Sequence, residues 1–512
     1  MSKNIVRKEF TQNGSWTCPA GVKKVSVKSL NKDLAIHTYN GGIYLKNLNG
    51  ITYSSGWTFG TGSNAYYSSP VLVSGGYKFK KILNGVECSF GLDYYGNVYA
   101  WGINAGFDSS GFLGTNDNTA KYIPTLISGG RNVSNIFGSS YGYKSGMYSY
   151  NRSNFFITTN DGTYAWGTNG WGELGVGDRV SRSSPTLVLG GNNFIQIVCN
   201  SNNDVTLFRN YSGDIYSCGY NSKGQLGVGD NVHRSSPTLV VGGYKFRDII
   251  PGQESSCGIT KDGDLYSWGS NSFGQLGVGD TLGRSSPTLV VGGYKFKKIE
   301  IVGAAILGLT EDGDMYAWGT NALGELGVGD RVSRSSPTLV LGGNRYKDFM
   351  FKSSSFVIAL TIENDLYAWG NNISGQLGVG DTLGRSSPTL VVGGYKFYSI
   401  EDQNRPQYGS SGLSSFTAGT GCVYASDFSG NIYSWGHNSL GQLSLGDVTY
   451  RSSPTLVTYF NISKLNGELH REQTFDVVPG TKYYIELKRP TMLGSILVAE
   501  EESSLLTIEY EA

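Results

Sequence analysis

A seven-residue string, RSSPTLV, occurs six times without change, beginning at Arg182, Arg234, Arg284, Arg334, Arg385 and Arg451. Repetition on this scale constrains the fold before any single residue does, because each unit must bury its apolar face against a copy of itself. Two further strings keep step with it. LGVGD ends at Asp178, Asp230, Asp280, Asp330 and Asp381, with LSLGD ending at Asp447. YxWG places Trp101, Trp166, Trp268, Trp318, Trp369 and Trp435, and Cys218 takes the tryptophan place in YSCG. Successive spacings of 65, 52, 50, 50, 51 and 66 residues leave two insertions, around 138–153 and 401–415, both rich in Ser, Gly and Tyr.

One unit reads as four short strands. GGYKFKKI alternates apolar and polar residues, which is a strand pattern. AAILGLT at 304–310 is a second run, closed by the hairpin signal Asp312-Gly313. DMYAWG at 314–319 is a third, and the glycine-rich loop NALGELGVGD leads to SSPTLV, the fourth. Four strands in about fifty residues make a propeller blade. A helical solenoid needs runs of ten or more residues at a 3.6 period, and the sequence holds none. Glycine at 74 of 512 residues fits the same class, since blades converge on a narrow axis and tight loops need positive φ. The recurrent Trp is expected between neighbouring blades, with ligand contact the alternative. Cys218 in that place predicts an underfilled contact, because Cys is much smaller than Trp.

The blade count is eight, with seven the alternative. A degenerate copy precedes the clear ones: LAIHTYNGGIYLKN at 34–47 parallels AILGLTEDGDMYAWG, and GWTFGTGSNAYYSSP at 56–70 parallels GELGVGDRVSRSSP. Only seven units carry a glycine-pair start, at 75, 129, 190, 242, 292, 342 and 393. The missing first strand is expected from VKKVSV at 22–27 or TYFNI at 458–462. YxWG, N-x-x-GQLG and GD-x-x-x-R-SSP resemble the repeats of the regulator of chromosome condensation (RCC1) family across residues 31–457. The resemblance implies that family's β-propeller. Its founder exchanges nucleotide on a small GTPase, and no exchange-site residue can be matched here.

The two ends have another texture. EFTQNGSWTCPAGVKKVSV reads as two strands around Pro19-Ala20-Gly21, QTFDVVPGTKYYIELKR as two around Pro479-Gly480, and SILVAEEESSLLTIEYEA as two more. Neither end alone is stable, since a lone hairpin is marginal. Residues 1–30 and 458–512 are therefore expected to form one β-sandwich for attachment or assembly, with the propeller at 31–457 inserted. Phe10 to Val25, Val478 to Ile485 and Leu506 to Tyr510 resemble glycine-rich domains of bacteriophage tail fibres and related virion proteins. That resemblance implies a virion location and other virion proteins as partners.

Few residues suggest chemistry. Net charge is +1 and charged residues are 16%, which disfavours a nucleic-acid binder, because displacing counterions needs clustered Lys and Arg. No G-x-S-x-G, HExxH, P-loop or EF-hand pattern occurs. The four histidines (His37, His233, His437, His470) share no spacing. The six cysteines stand apart with no CxxC, so neither a metal site nor a cofactor is expected, and the thiols are read as reduced. No apolar run nears the roughly 18 residues of a membrane span, and MSKNIVRKEFTQNG lacks the apolar core of a signal peptide. The chain is expected in the cytoplasm where it is made and then in the particle.

The recurring Arg and Asp read as a loop clamp, with a ring of anion-binding arginines the alternative. One loop position varies where all else is fixed: Trp171, Lys223, Phe273, Leu323, Ser374 and Leu440. Large apolar residues in such a loop suggest a partner or glycan surface, against the reading that each tucks onto its own blade. The insertions add Tyr141, Tyr143, Tyr148, Tyr150 and Tyr408, in the Tyr/Ser/Gly composition of adaptable recognition loops. The expected function is a non-enzymatic phage virion protein, a tail fibre or surface appendage that presents the propeller to a host-surface glycan or protein. The rivals are a cellular RCC1-like scaffold or exchange factor and a propeller enzyme acting on polysaccharide. Homo-oligomers fit the first.

Overall fold

The computed structural model describes residues 61–457 apart from short breaks and the stretch 401–420. Of residues 1–60 and 458–512 it describes the backbone of individual strands. The chain divides into two compact units, residues 1–34 with 460–512, and residues 35–459. In the first unit, strands from both ends pair. Ile5–Phe10 lies beside Leu505–Glu511, which lies beside Lys24–Leu30, which lies beside Glu472–Asp476. Gly14–Thr17 pairs separately with Lys482–Ile485.

In the second unit, eight four-stranded antiparallel sheets follow one another among the described residues, each built from four consecutive strands. The sixth shows the plan: Phe296–Val302, Ala305–Thr310, Met315–Gly319 and Arg334–Leu339. Asp312 and Gly313 form the turn between its second and third strands, with Gly313 at φ 88°. The second strand is buried along its whole length, because a neighbouring sheet covers each face. The fourth strand is half-buried and forms the outer edge. Its ladder shifts register between Ala317 and Gly319. All eight fourth strands carry a proline: Pro70, Pro124, Pro185, Pro237, Pro287, Pro337, Pro388 and Pro454. Proline has no N–H to offer a foreign strand, so each outer edge is closed to pairing.

The first sheet corrects the sequence parse by one strand. Ala35–Tyr39 and Gly42–Lys46 are its first and second strands, where a second and third were expected. The missing first strand is thus supplied by 35–39, neither by 22–27 nor by 458–462. Its third strand is Thr52–Thr58, and Tyr53-Ser54-Ser55-Gly56 holds the YxWG register: Tyr53 faces Leu72 and Gly56 faces Tyr67, as Tyr316 faces Leu339 and Gly319 faces Arg334. Ser55 stands in the tryptophan place and Tyr67 in the arginine place. With both landmarks gone, the apolar alternation of 34–47 fits either hairpin of a unit.

Apolar clusters form between sheets. One joins Leu307, Leu309 and Met315 of the sixth sheet to Phe349, Val357 and Trp369 of the seventh. Equivalent clusters link the second to the third, the fourth to the fifth and the seventh to the eighth. The first strands of successive sheets touch, from the first sheet through to the eighth.

Candidate functional site

Alternating strand direction brings two kinds of connection to one end of every sheet: the turn between strands one and two, and the glycine-rich loop after strand three. Backbone hydrogen bonds tie them together. Ser270 N–H donates to Glu254 O at 2.9 Å, Thr168 N–H to Ser153 O at 3.0 Å and His437 N–H to Gly421 O at 2.9 Å. The first insertion therefore leaves the propeller at the end that carries the variable loop position, and the second, 401–415, lies outside the described residues.

The loop is organised by a buried asparagine that the sequence reading passed over. Asn321 Nδ2 donates to Asp330 O at 3.0 Å and Val332 O at 3.2 Å, while its Oδ1 accepts the Leu326 N–H at 3.0 Å. Asn169, Asn221, Asn271, Asn372 and Asn438 make the same set. Asn104 does so in the second sheet with Asp117 O and Leu113 N–H, where Lys121 replaces the arginine. The signal was present as the first residue of N-x-x-G. Side-chain hydrogen bonding to nearby backbone is what Asn does in loops.

Arg334 pairs with Asp330 at 2.6 Å and donates its other terminal nitrogen to Val332 O at 2.7 Å. The five sister arginines repeat the pairing. Both guanidinium tips face the loop, which disfavours the anion-binding ring. The Val332 N–H, then the Arg334 guanidinium, hold the Asp330 carboxyl below its ordinary range.

The tryptophans of YxWG are buried at the contact with the preceding sheet. Trp268 Nε1 donates to Gln225 O at 2.9 Å, Trp318 to Gln275 O at 3.1 Å, Trp369 to Glu325 O at 3.0 Å, Trp435 to Gln376 O at 3.0 Å and Trp166 to Phe112 O at 2.8 Å. Trp101 is buried against Phe79, ring centroids 5.5 Å apart. The preceding loop makes room with glycine: a Cβ on Gly277, at φ 67°, would lie 2.7 Å from the Trp318 indole nitrogen.

Cys218 is fully buried, in one apolar cluster with Phe208. Its Sγ donates to Glu173 O at 3.4 Å, and Phe208 fills the space. That residue faces Tyr216 across the ladder, a place held by Gly258 and Gly308 in the next two sheets. Its ring lies 4.7 Å from that of Phe194 and 5.7 Å from that of Phe156 in the third sheet. The fourth sheet thus trades a Gly–Trp pair for a Phe–Cys pair.

Of the variable loop residues, Phe273, Leu323 and Lys223 stand out from their own sheets. Phe273 and Leu323 are 55% and 41% exposed, and Lys223 is exposed. In the seventh sheet the apolar side chain moves one place: Ile373 is 75% exposed and Ser374 is buried. Trp171 leans on the next sheet, its ring 4.9 Å from Tyr220 and 5.1 Å from His233. Val180, Val232, Leu282, Val332 and Leu383 add one exposed apolar residue per loop. Leu440 and Tyr408 lie outside the described residues. Tyr141, Tyr143, Tyr148 and Tyr150 belong to one long hairpin, paired Tyr143 to Tyr150 and Ser145 to Tyr148. Among the described residues, no three His, Cys, Asp or Glu side chains group as a metal site, and the five cysteines are buried and in no disulfide. Burial pushes the Cys199 thiol up to about 12.

His233 gives the loop end a pH response. Its Nδ1 accepts the Asn221 N–H at 2.8 Å. Burial, then the charge of Arg179, lowers its pKa, and Asp204 offsets part of that. Protonation removes the acceptor. A depressed histidine stabilises fully above its unfolded pKa, near 6.5, and the contribution is lost as pH falls below that value. The melting temperature should therefore drop further between pH 7 and pH 5 in the native chain than in a His233→Ser variant, Ser being the residue at this place (Ser181) in the third sheet. Equal drops in thermal melts would contradict it.

Comparison with known proteins places these repeats. Residues 151–401 match the family model described as an RCC1-like domain, and residues 429–464 that of the regulator of chromosome condensation (RCC1) repeat. The chain carries an RCC1-like β-propeller. It is 28% identical over 187 residues to the ultraviolet-B receptor UVR8 of Arabidopsis thaliana, covering 35% of this chain and 39% of the receptor. It is 32% identical over 111 residues to the human X-linked retinitis pigmentosa GTPase regulator, covering 21% and 11%. The matches thus span well under half of these relatives. A crystal structure of Prp20p from Saccharomyces cerevisiae, a protein with binding properties to Gsp1p and histones, aligns with 75% of this chain and 90% of its own at 20% identity and a TM-score of 0.48.

Proposed function

We propose that this chain is a non-catalytic, protein-binding propeller of the cellular RCC1-like kind, with eight blades closed in a ring. One observation carries the reading: exposed apolar side chains recur from loop to loop at one end, Phe273, Leu323 and Ile373 beside Leu282, Val332 and Leu383. Exposed apolar patches of this sort mark interaction surfaces, and fixed hardware beneath them leaves these positions free to vary. The name of one relative, a GTPase regulator, supports a protein as the class of partner.

The test immobilises the full chain and a Phe273→Ser/Leu323→Ser/Ile373→Ser variant against extract of the cells that make it. Exposed substitutions shift stability within about 0.5 kcal/mol, so both should melt alike. The native chain is expected to retain proteins that the variant loses. Identical retention by both would contradict the reading.

A second reading joins the pairing of strands from the two ends to the resemblance of those ends to virion domains, and takes the terminal sheets as an attachment sandwich on a virion. Recovery of the chain at stoichiometric level in density-purified particles would move that reading to first place.

A further inference from the structure

We propose that the hairpin projecting from the third sheet is a strand-addition site, taking an extended acidic segment of a partner protein along the edge Tyr148–Arg152. This rests on the protein-binding reading above and narrows it to one edge. In the fifth and sixth sheets the first hairpin ends level with the glycine that closes strand three, Ser255 facing Gly269 and Ala305 facing Gly319. In the third sheet Asn154 faces Gly167, but pairing continues past it. Ser140 faces Ser153, Tyr141 faces Arg152, Gly142 faces Asn151, Tyr143 faces Tyr150, Lys144 faces Ser149 and Ser145 faces Tyr148. Six further pairs carry the ribbon about 20 Å beyond the sheet.

Beyond Gly167, no described strand pairs with the second side of Tyr148–Arg152. Ser153 O accepts the Thr168 N–H, so the odd-numbered residues turn their backbone groups to that side. Asn151 and Ser149 continue the same row. A two-stranded ribbon is marginal in water, and a third strand satisfies its open edge. The contrast with the rest of the propeller is sharp. Each of the eight fourth strands is closed by a proline, whereas residues 139–153 contain none.

Register and charge point to the occupant. Tyr141, Tyr143, Tyr148 and Tyr150 fall on one face of the ribbon, while Ser140, Gly142, Lys144, Ser149 and Asn151 fall on the other. A strand laid along the edge extends a face already rich in tyrosine, where cross-strand pairing gives affinity. The only charged residues from 139 to 153 are Lys144 and Arg152. A second copy would bring like charge against like, whereas an acidic segment is attracted.

The test selects binders to the full chain from a displayed random twelve-residue peptide library and measures the best synthetic peptide by fluorescence anisotropy. Peptides rich in Asp and Glu among β-branched residues are expected. Asn151→Pro removes an N–H on the open side and should weaken binding at least tenfold, while Asn151→Ala should stay within twofold. Lys144→Glu/Arg152→Glu keeps every backbone group and should also cost the acidic peptide at least tenfold. Unchanged affinity in the proline and charge variants would overturn the ribbon as the site and leave the protein-binding reading standing. Failure to enrich any peptide would overturn it as well, with that reading still judged by its own triple variant. Self-association abolished by Asn151→Pro would make a second copy the occupant and overturn the acidic segment.

Discussion

Cys218→Trp will destabilise the fourth sheet, and adding Phe208→Gly will recover most of the loss. Alone, the indole enters a space already held by the Phe208 ring, between Phe194 and Phe156. Overpacking of this kind costs about 1–3 kcal/mol. Phe208→Gly alone leaves a cavity beside a small thiol, at a cost of about 3–5 kcal/mol. Together they recreate the Gly258–Trp268 arrangement of the fifth sheet. The acceptor is in place, since Glu173 O already takes the Thr206 hydroxyl at 2.7 Å, as Gln225 O takes Ser256 at 2.9 Å beside Trp268. The loop glycine is suited too: a Cβ on Gly175 would meet Pro237 at 3.1 Å. Contacting residues couple by about 0.5–3 kcal/mol, and this pair should lie near the top of that range. Amide exchange along Val205–Asn210 reads the cycle locally, which avoids assuming that a chain of this size unfolds in two states. Additive losses would sink the idea that Phe208 replaces the missing tryptophan.

Asn321→Leu should cost more than Arg334→Ala, although the arginine is the conspicuous half of the motif. Asn321 is fully buried, and its loss strands the Leu326 N–H and takes a donor from the Asp330 carbonyl, while Val332 O keeps the Arg334 guanidinium. An unsatisfied buried group costs about 1–3 kcal/mol, so the loop should lose about 2–4 kcal/mol. The Arg334–Asp330 pair is partly exposed, with side chains 26% and 44% accessible, so water and salt screen it and its loss costs the loop little. Exchange of the Leu326 amide should therefore rise by orders of magnitude in the first variant and several-fold at most in the second. A larger rise in the arginine variant would show that charge, not the buried amide, holds the loop.

The same contrast explains what could be read in advance. Four strands per unit, the Asp–Gly turn and the recurrent tryptophan stand out because repetition exposes whatever every unit needs. The first sheet was misread because Ser55 and Tyr67 occupy the places that mark register elsewhere. The role of Phe208 was hidden because compensation crosses the ladder, from the partner of Tyr216 to Cys218, and only pairing shows those places adjoin. Asn321 was passed over because its work is done on backbone groups, which leave no trace in side-chain pattern. The loop residues were noticed as variable, but whether Phe273 tucks in or stands out depends on one residue of phase, as Ile373 and Ser374 demonstrate. The end strands pair first with last, yet what they attach to is not written in the pairing.

On the proposed reading, the loop-bearing end of the propeller meets a protein. The direct measurement places the photo-crosslinker p-benzoylphenylalanine at residue 273 or 323 on that end, and at residue 211 or 362 on the opposite turns, where Tyr211 and Ile362 are also exposed. Irradiation in the producing cells should give protein adducts from 273 and 323 and none from 211 and 362. Adducts confined to 211 and 362 would place the interface at the opposite end and contradict that reading.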